Sequence, residues 1–237
     1  MRRLVRGGRV LAALIVVMSF NILPATATTS PKDRSADAIR HSNAAAVVFN
    51  QIMAAPDKGI PRDLIRKAKA VVVFPGVVHA AFIVGGRGGQ GVISKRTGNG
   101  WSTPAFFNIG GGSIGLQIGA QKTDIVMLIM NDEGLQGLLE DKFEIGGEAS
   151  AAAGPVGRTV SATTNATLDA GILSYSRSKG LFAGISLKGA AITPDNDLNE
   201  AVYGIKARDV LSDGQMTMTP PKGVLIFPQT LKRYSGR

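Results

Sequence analysis

The chain has 237 residues, no cysteine, and 27 basic against 17 acidic residues, a formal charge of +10. Without a thiol it can build no disulfide, thiolate nucleophile or zinc–thiolate site. It has two histidines, His41 and His79, which supply little for acid–base or metal chemistry.

Arg2, Arg3, Arg6 and Arg9 precede the apolar run Val10–Leu23, and Ala25-Thr26-Ala27 gives a small-x-small cleavage pattern. These features predict a signal peptide over 1–27, cut after Ala27, and an exported, periplasmic or secreted domain over 28–237. The apolar run falls short of the roughly 20 residues that span a bilayer. Losing its four arginines lowers the charge from +10 to +6. That remaining charge suits anionic partners such as lipid head groups. An exported chain with no dense Lys/Arg run is not expected to meet nucleic acid.

Asp37–Ala55 reads as a helix, with Ile39, Ala46, Phe49 and Met53 at helical spacing and Pro56 at its end. Its alanine-rich stripe fits a helix covering a sheet better than one lying on a membrane. Pro61–Lys69 is a short second helix with proline in its first turn. It carries Arg62, Arg66, Lys67 and Lys69, which can hold an anionic head group or simply suit the negative end of the helix dipole.

From Ala70 the pattern becomes β. Val71–Phe74 is an unbroken apolar strand, Pro75-Gly76 a turn, Val77–Val84 a second strand and Gly91–Lys95 a third. Gly86–Gly91 reads as a hairpin turn with Arg87 at its tip. Trp101, Phe106 and Phe107 form an aromatic cluster. Ile114, Leu116, Ile118 and Ala120 alternate with small or polar residues, and Ile125–Met130 is buried strand. A brief helix is expected over Asp132–Glu140, with Asn131 as its N-cap.

Phe143–Ala153, Thr159–Thr163, Ile172–Arg177 and Leu181–Ile192 complete the predicted sheet. Asn196–Val202 and Ala207–Leu211 read as short helices, the first capped by Asp195. Val224–Phe227 is a last apolar segment. Its VLIFP matches VVVFP at 71–75 either as a pseudo-repeat of two pairing strands or by chance. Many short strands, glycine turns and no βαβ alternation give the fold class α+β. The expectation is a single domain with a large, mainly antiparallel, glycine-rich β-sheet or barrel-like sandwich and short peripheral helices.

Three motifs resemble catalytic or ligand loops but lack their context. Gly111–Gly115 matches G-x-S-x-G, yet a strand follows Ser113 where a nucleophile elbow needs a helix. Gly86–Gly91 matches G-x-G-x-x-G, yet Val92–Arg96 is β-like where a dinucleotide fold opens a helix. Asp195-Asn196-Asp197 lacks the glycine and distal glutamate of a calcium loop. Asn165-Ala166-Thr167 is a glycosylation sequon.

WSTPAFFNIGGGSIGLQIGAQKTDIV at 101–126, AAAGPVGR at 151–158 and ILSYSRSKGLFAGISLKGA at 172–190 resemble the SYLF domain family. IPRDLIRKAKAVVVFPGVVHAAFIVGG at 60–86 is similar to the start of that domain. The resemblance covers about residues 40–212. It implies a lipid-binding domain, with phosphoinositides bound by eukaryotic members and actin by some fungal ones, and no catalytic residues.

The function expected is therefore non-enzymatic binding of anionic or phosphoinositide-type head groups at the cell envelope, with no cofactor and no metal. Candidate lipid contacts are Arg62, Arg66, Lys67, Lys69, Arg87, Lys95, Arg96, Arg177 and Lys179, the last two on one face of their strand because side chains alternate. Trp101, Phe106 and Phe107 are the apolar candidates. The alternative is a structural or protein-binding envelope module.

Overall fold

The structure, a computed structural model, describes residues 31–54, 59–81, 84–114, 119–147, 150–157, 170–178, 181–212 and 216–236. The expected signal peptide, the Thr159–Thr163 strand, the Asn165 sequon and Lys179 lie outside the described residues.

One sheet of ten strands organises the described part of the chain around β1 (Ala70–Ala81). β1 pairs with β2 (Val84–Thr97) on one side and β5 (Gly119–Ile129) on the other. β3 (Gly100–Trp101) and β4 (Ala105–Ile114) join β2. β6 (Phe143–Glu144) and β10 (Ala191–Pro194) extend the sheet beyond β4. β7 (Ala151–Ala153) and β9 (Leu181–Gly184) flank β8 (Ile172–Ser178), which pairs with β5. Among the described pairings only β7–β8 is parallel. The sheet curls into a half-barrel, so the fold is α+β and mainly antiparallel, as the strand pattern implied.

β1 does not stop at Pro75-Gly76. It runs on through a bulge, marked by register shifts against both neighbours and by Gly76 at φ +58°. The Gly76 N–H donates to Asp124 Oδ1 at 2.9 Å. Arg177 donates to Asp124 Oδ2 through Nε at 3.1 Å and Nη2 at 2.8 Å. The same bulge explains why Gly86–Gly91 is strand and not turn. A Cβ on Gly91 would lie 2.2 Å from the Val73 carbonyl oxygen, and one on Gly89 would lie 2.9 Å from Val77 Cγ2. The main chains approach too closely there for any side chain.

Helices pack against the sheet. α1 (Pro31–Met53) starts earlier than its periodicity suggested. It packs along a 3₁₀ turn (Lys222–Leu225) and, after the short α2 (Arg62–Lys67), α3 (Asp132–Gly137), α4 (Asn196–Tyr203) and α5 (Ala207–Leu211), along the last helix, α6 (Ile226–Ser235). VLIFP is thus helical and pairs with no strand. Pro228 sits in the first turn of α6, where its missing N–H costs nothing, and Phe227 and Leu231 are fully buried. Phe49 meets Tyr234 edge-on at 5.8 Å, and the Tyr234 hydroxyl donates to Asn50 Oδ1 at 3.1 Å.

Asn131 and Asp195 are the expected caps, accepting from Gly134 N at 2.8 Å and Leu198 N at 3.1 Å. Asn199 does more. Buried on α4, it accepts from Phe106 N at 3.0 Å and donates to Phe106 O at 2.9 Å. It thus satisfies both main-chain groups of a buried β4 residue, a pairing a strand would otherwise provide. Two of the motifs that suggested a family also meet. The Tyr175 ring stacks on Phe182 at 5.5 Å, and a Cβ on Gly154 would fall 2.1 Å from that ring. Those motif residues pack together in the fold. Among the described residues, no helix is long and apolar enough to cross a membrane.

Candidate functional site

Four of the sequence-predicted cations stand together on and beside α2. Leu64 and Ile65 bury one face of this helix, which leaves Arg62, Arg66 and Lys67 exposed on the other. Lys69, also exposed, follows at the entry to β1. Arg66 pairs with Asp63, and Lys69 Nζ lies 3.2 Å from Asp132 Oδ1. Both pairs are solvent-exposed and worth about 0–1 kcal/mol, so an anionic surface can compete for either cation. The Arg62 guanidinium sits 5.7 Å from the Tyr234 ring centroid. Lys67 carries no ion pair with any described residue.

The sequence reading missed the other half of this surface. α6 packs against α2 and β3 and adds exposed Lys232 and Arg233. Lys232 also lines a cleft of about 240 Å³ with Arg96, Thr97, Gly98, Asn99 and Gly100. Reading VLIFP as strand hid this. The usable signal was the spacing of Phe227 and Leu231, one helical turn apart, behind which the basic pair falls on the exposed side.

Arg96 has a different role from the one expected. Its Nη2 donates to Ile65 O at 2.5 Å and its Nε to Ala68 O at 2.9 Å, so it closes the C-terminal end of α2. Its guanidinium lies 4.2 Å from the Trp101 ring centroid, within the range of a cation–π contact. Burial pushes its pKa down. Trp101, half-buried beneath it, donates Nε1–H to Ser235 Oγ at 3.0 Å. Arg96 and Trp101 therefore bind α2, β2, β3 and α6 together.

The remaining candidates are scattered. Phe106 and Phe107 are each 1% exposed and belong to the core; Phe106 stacks on Tyr203 at 5.8 Å. Neither can touch a lipid from outside. Arg177 is held by Asp124. Lys95 is half-buried on β2. Arg87 is at no hairpin tip: it lies within β2, opposite His79 of β1 and Gly111 of β4.

A separate groove of about 700 Å³ runs between α1 and the sheet, with Arg40, His41, Gln90 and Asn108 among its lining. Burial, then the nearby Arg40, holds the His41 pKa below its ordinary value. Among the described residues, no three histidine or carboxylate groups gather as metal ligands.

The family model described as Ysc84, Las17-binding protein actin regulator, matches residues 110–234. LAS seventeen-binding protein 3 of Saccharomyces cerevisiae is 35% identical over 159 residues, which are 65% of this chain and 34% of that protein. SH3 domain-containing YSC84-like protein 1 of Rattus norvegicus is 35% identical over 160 residues, 66% of this chain and 47% of that protein. Its Homo sapiens counterpart is 34% identical over 160 residues, 66% of this chain and 46% of its own length. The matched stretch thus spans about a third to a half of these relatives. The family description speaks of Las17 binding and actin regulation, and the yeast relative's name of LAS seventeen binding.

These findings overturn the expected periplasmic or secreted location. The relatives are yeast and mammalian proteins of an actin-regulator family, and actin regulation takes place inside a cell. The arginine-flanked apolar run was read as an export signal on its flanks alone.

Proposed function

This chain belongs to the Ysc84 family, and from that premise we propose that it is a non-enzymatic binding module that attaches to anionic lipid head groups, phosphoinositides included, through the α2–α6 face. The observation that carries the reading is the joining of Arg62, Arg66, Lys67 and Lys69 with Lys232 and Arg233 on two packed helices. The described carboxylates that engage this face, Asp63 and Asp132, are outnumbered by its cations. Each basic group near an anionic surface contributes on the order of 1 kcal/mol, and salt screens it within roughly 8–10 Å. Several acting together give reversible, salt-sensitive attachment.

The test is flotation with phosphatidylcholine vesicles, alone and mixed with phosphatidylserine or a phosphoinositide. Replacing Arg62, Arg66, Lys67 and Lys69 with glutamine should weaken binding to the anionic vesicles at least tenfold while the circular dichroism spectrum stays the same. Raising the salt should do likewise. Binding that survives both changes sinks this reading.

A protein partner is the second reading, favoured by the relatives' names, which speak of Las17 binding. The same basic face suits an acidic protein surface. Cosedimentation with actin filaments, with and without the four glutamine substitutions, tests it separately from vesicles.

A further inference from the structure

Arg87 is a cationic candidate that the α2–α6 face leaves unexplained. It sits in a row that crosses four neighbouring strands in register. Gly111 on β4 faces Arg87 on β2, Arg87 faces His79 on β1, and His79 faces Gln121 on β5. Cross-strand partners share a face of the sheet, so Arg87, His79 and Gln121 stand side by side. Gln121 Nε2 in turn contacts Ser178 Oγ on β8.

The Arg87 guanidinium is poorly compensated. Its Nε is buried and has no hydrogen-bond partner. Among the described residues it makes no ion pair, and no carboxylate acts on either Arg87 or His79. Burial pushes the pKa of both groups down, and for His79 the charge of Arg87 adds to it. A buried polar group without a partner costs on the order of 1–3 kcal/mol, and a charged one more. Such a group calls for an explanation, and an ordered water or ion is one.

The surroundings leave room for that. Arg87 and His79 are only half-buried and Gln121 is exposed, so the row is open to solvent. A Cβ on Gly111 would lie 3.2 Å from Arg87 Nε and 3.2 Å from the Gly189 carbonyl oxygen. A methyl group at 111 would crowd the guanidinium from the side of β4.

We propose that this row is a binding site for a phosphate oxyanion, with Arg87 supplying the charge and His79 and Gln121 flanking donors. The planar guanidinium fork matches phosphate oxygens, and a neutral imidazole and a carboxamide each add N–H donors. The site is separate from the α2–α6 face. About 30 Å of β1, at roughly 3.3 Å per residue, separates Ala70 beside α2 from His79. The phosphate can belong to a lipid head group or be free in solution.

The probe is inorganic phosphate, added to the full chain at matched ionic strength against chloride and read by calorimetry and thermal melting. Phosphate should bind saturably and raise the melting temperature. Arg87→Gln should weaken it at least tenfold while melting in chloride no lower than the parent, since the uncompensated charge is gone. Gly111→Ala, which crowds the guanidinium but keeps the charge, should weaken phosphate binding as well. The variant with glutamine at Arg62, Arg66, Lys67 and Lys69 should bind phosphate like the parent, which separates this site from the proposed membrane face.

Vesicles of phosphatidylcholine with and without phosphatidylinositol 4-phosphate identify the source. If Arg87→Gln lowers both vesicle and phosphate binding, the ligand is a head group; if it lowers only phosphate binding, the ligand is a free anion. Absence of saturable phosphate binding, or equal binding by the parent and both variants, overturns the proposal.

Discussion

At Gly91 the chain has no room for even a methyl group. Its added carbon would meet the Val73 carbonyl at 2.2 Å and Phe74 Cα at 2.9 Å. Both are parts of the central strand that cannot swing away. Gly110 is the contrast: a Cβ there meets nothing within 4 Å, and its φ is not positive. Gly91→Ala should therefore destabilise the protein by about 3 kcal/mol, the upper part of the usual overpacking range. Gly110→Ala should stabilise it by about 0.5 kcal/mol by narrowing the unfolded ensemble. Urea denaturation of the two variants checks both, and similar midpoints would contradict the packing described for the bulge. The sequence shows both residues only as glycine. What separates them is the approach of another strand, which no local pattern encodes.

Arg96 ties its elements together through groups that lysine cannot copy. It reaches two carbonyls of the α2 end and lies over Trp101 with one rigid, planar fork. Arg96→Lys should cost about 1–2 kcal/mol of stability, and vesicle binding by the folded fraction should be unchanged. A variant of parental stability that loses vesicle binding would return Arg96 to the surface contacts. The elements themselves were unevenly legible. α2, the caps Asn131 and Asp195, and the apolar strands read at Val71–Phe74 and Ile125–Met130 follow from local chemistry that acts within a few residues. β2 was misread over Gly86–Gly91 because glycine signals a turn unless a neighbouring bulge demands it. α6 was misread because four apolar letters, VLIF, fit a strand or a buried helix equally. The candidate site was half visible for the same reason: α2 could be read, and its partner helix could not.

For the whole molecule, acid is the informative perturbation. Burial first, and then Arg40 and Arg87 respectively, lowers the pKa of His41 and His79 from the ordinary 6.5. The unfolded chain then takes up protons before the folded one. The stability linked to these residues is present above about pH 6.5 and is lost as pH falls below it. The urea midpoint should fall between pH 7.5 and 5.5, and should fall less after His41→Gln or His79→Gln. A midpoint that rises on acidification would reverse the sign and contradict the burial. The packing of α6 on α1 has a further consequence, for the order in which the molecule is made. The Asn50–Tyr234 hydrogen bond joins residues 184 positions apart, and Trp101–Ser235 joins residues 134 apart. A chain growing from its N-terminus completes α1, α2 and the central hairpin long before their covering helix exists. Phe49 lacks its Tyr234 partner on the ribosome until that helix emerges. Closure is a late, long-range event, and such topologies fold slowly. The nascent protein spends that interval without the contacts that α6 later makes to α1, α2 and β3.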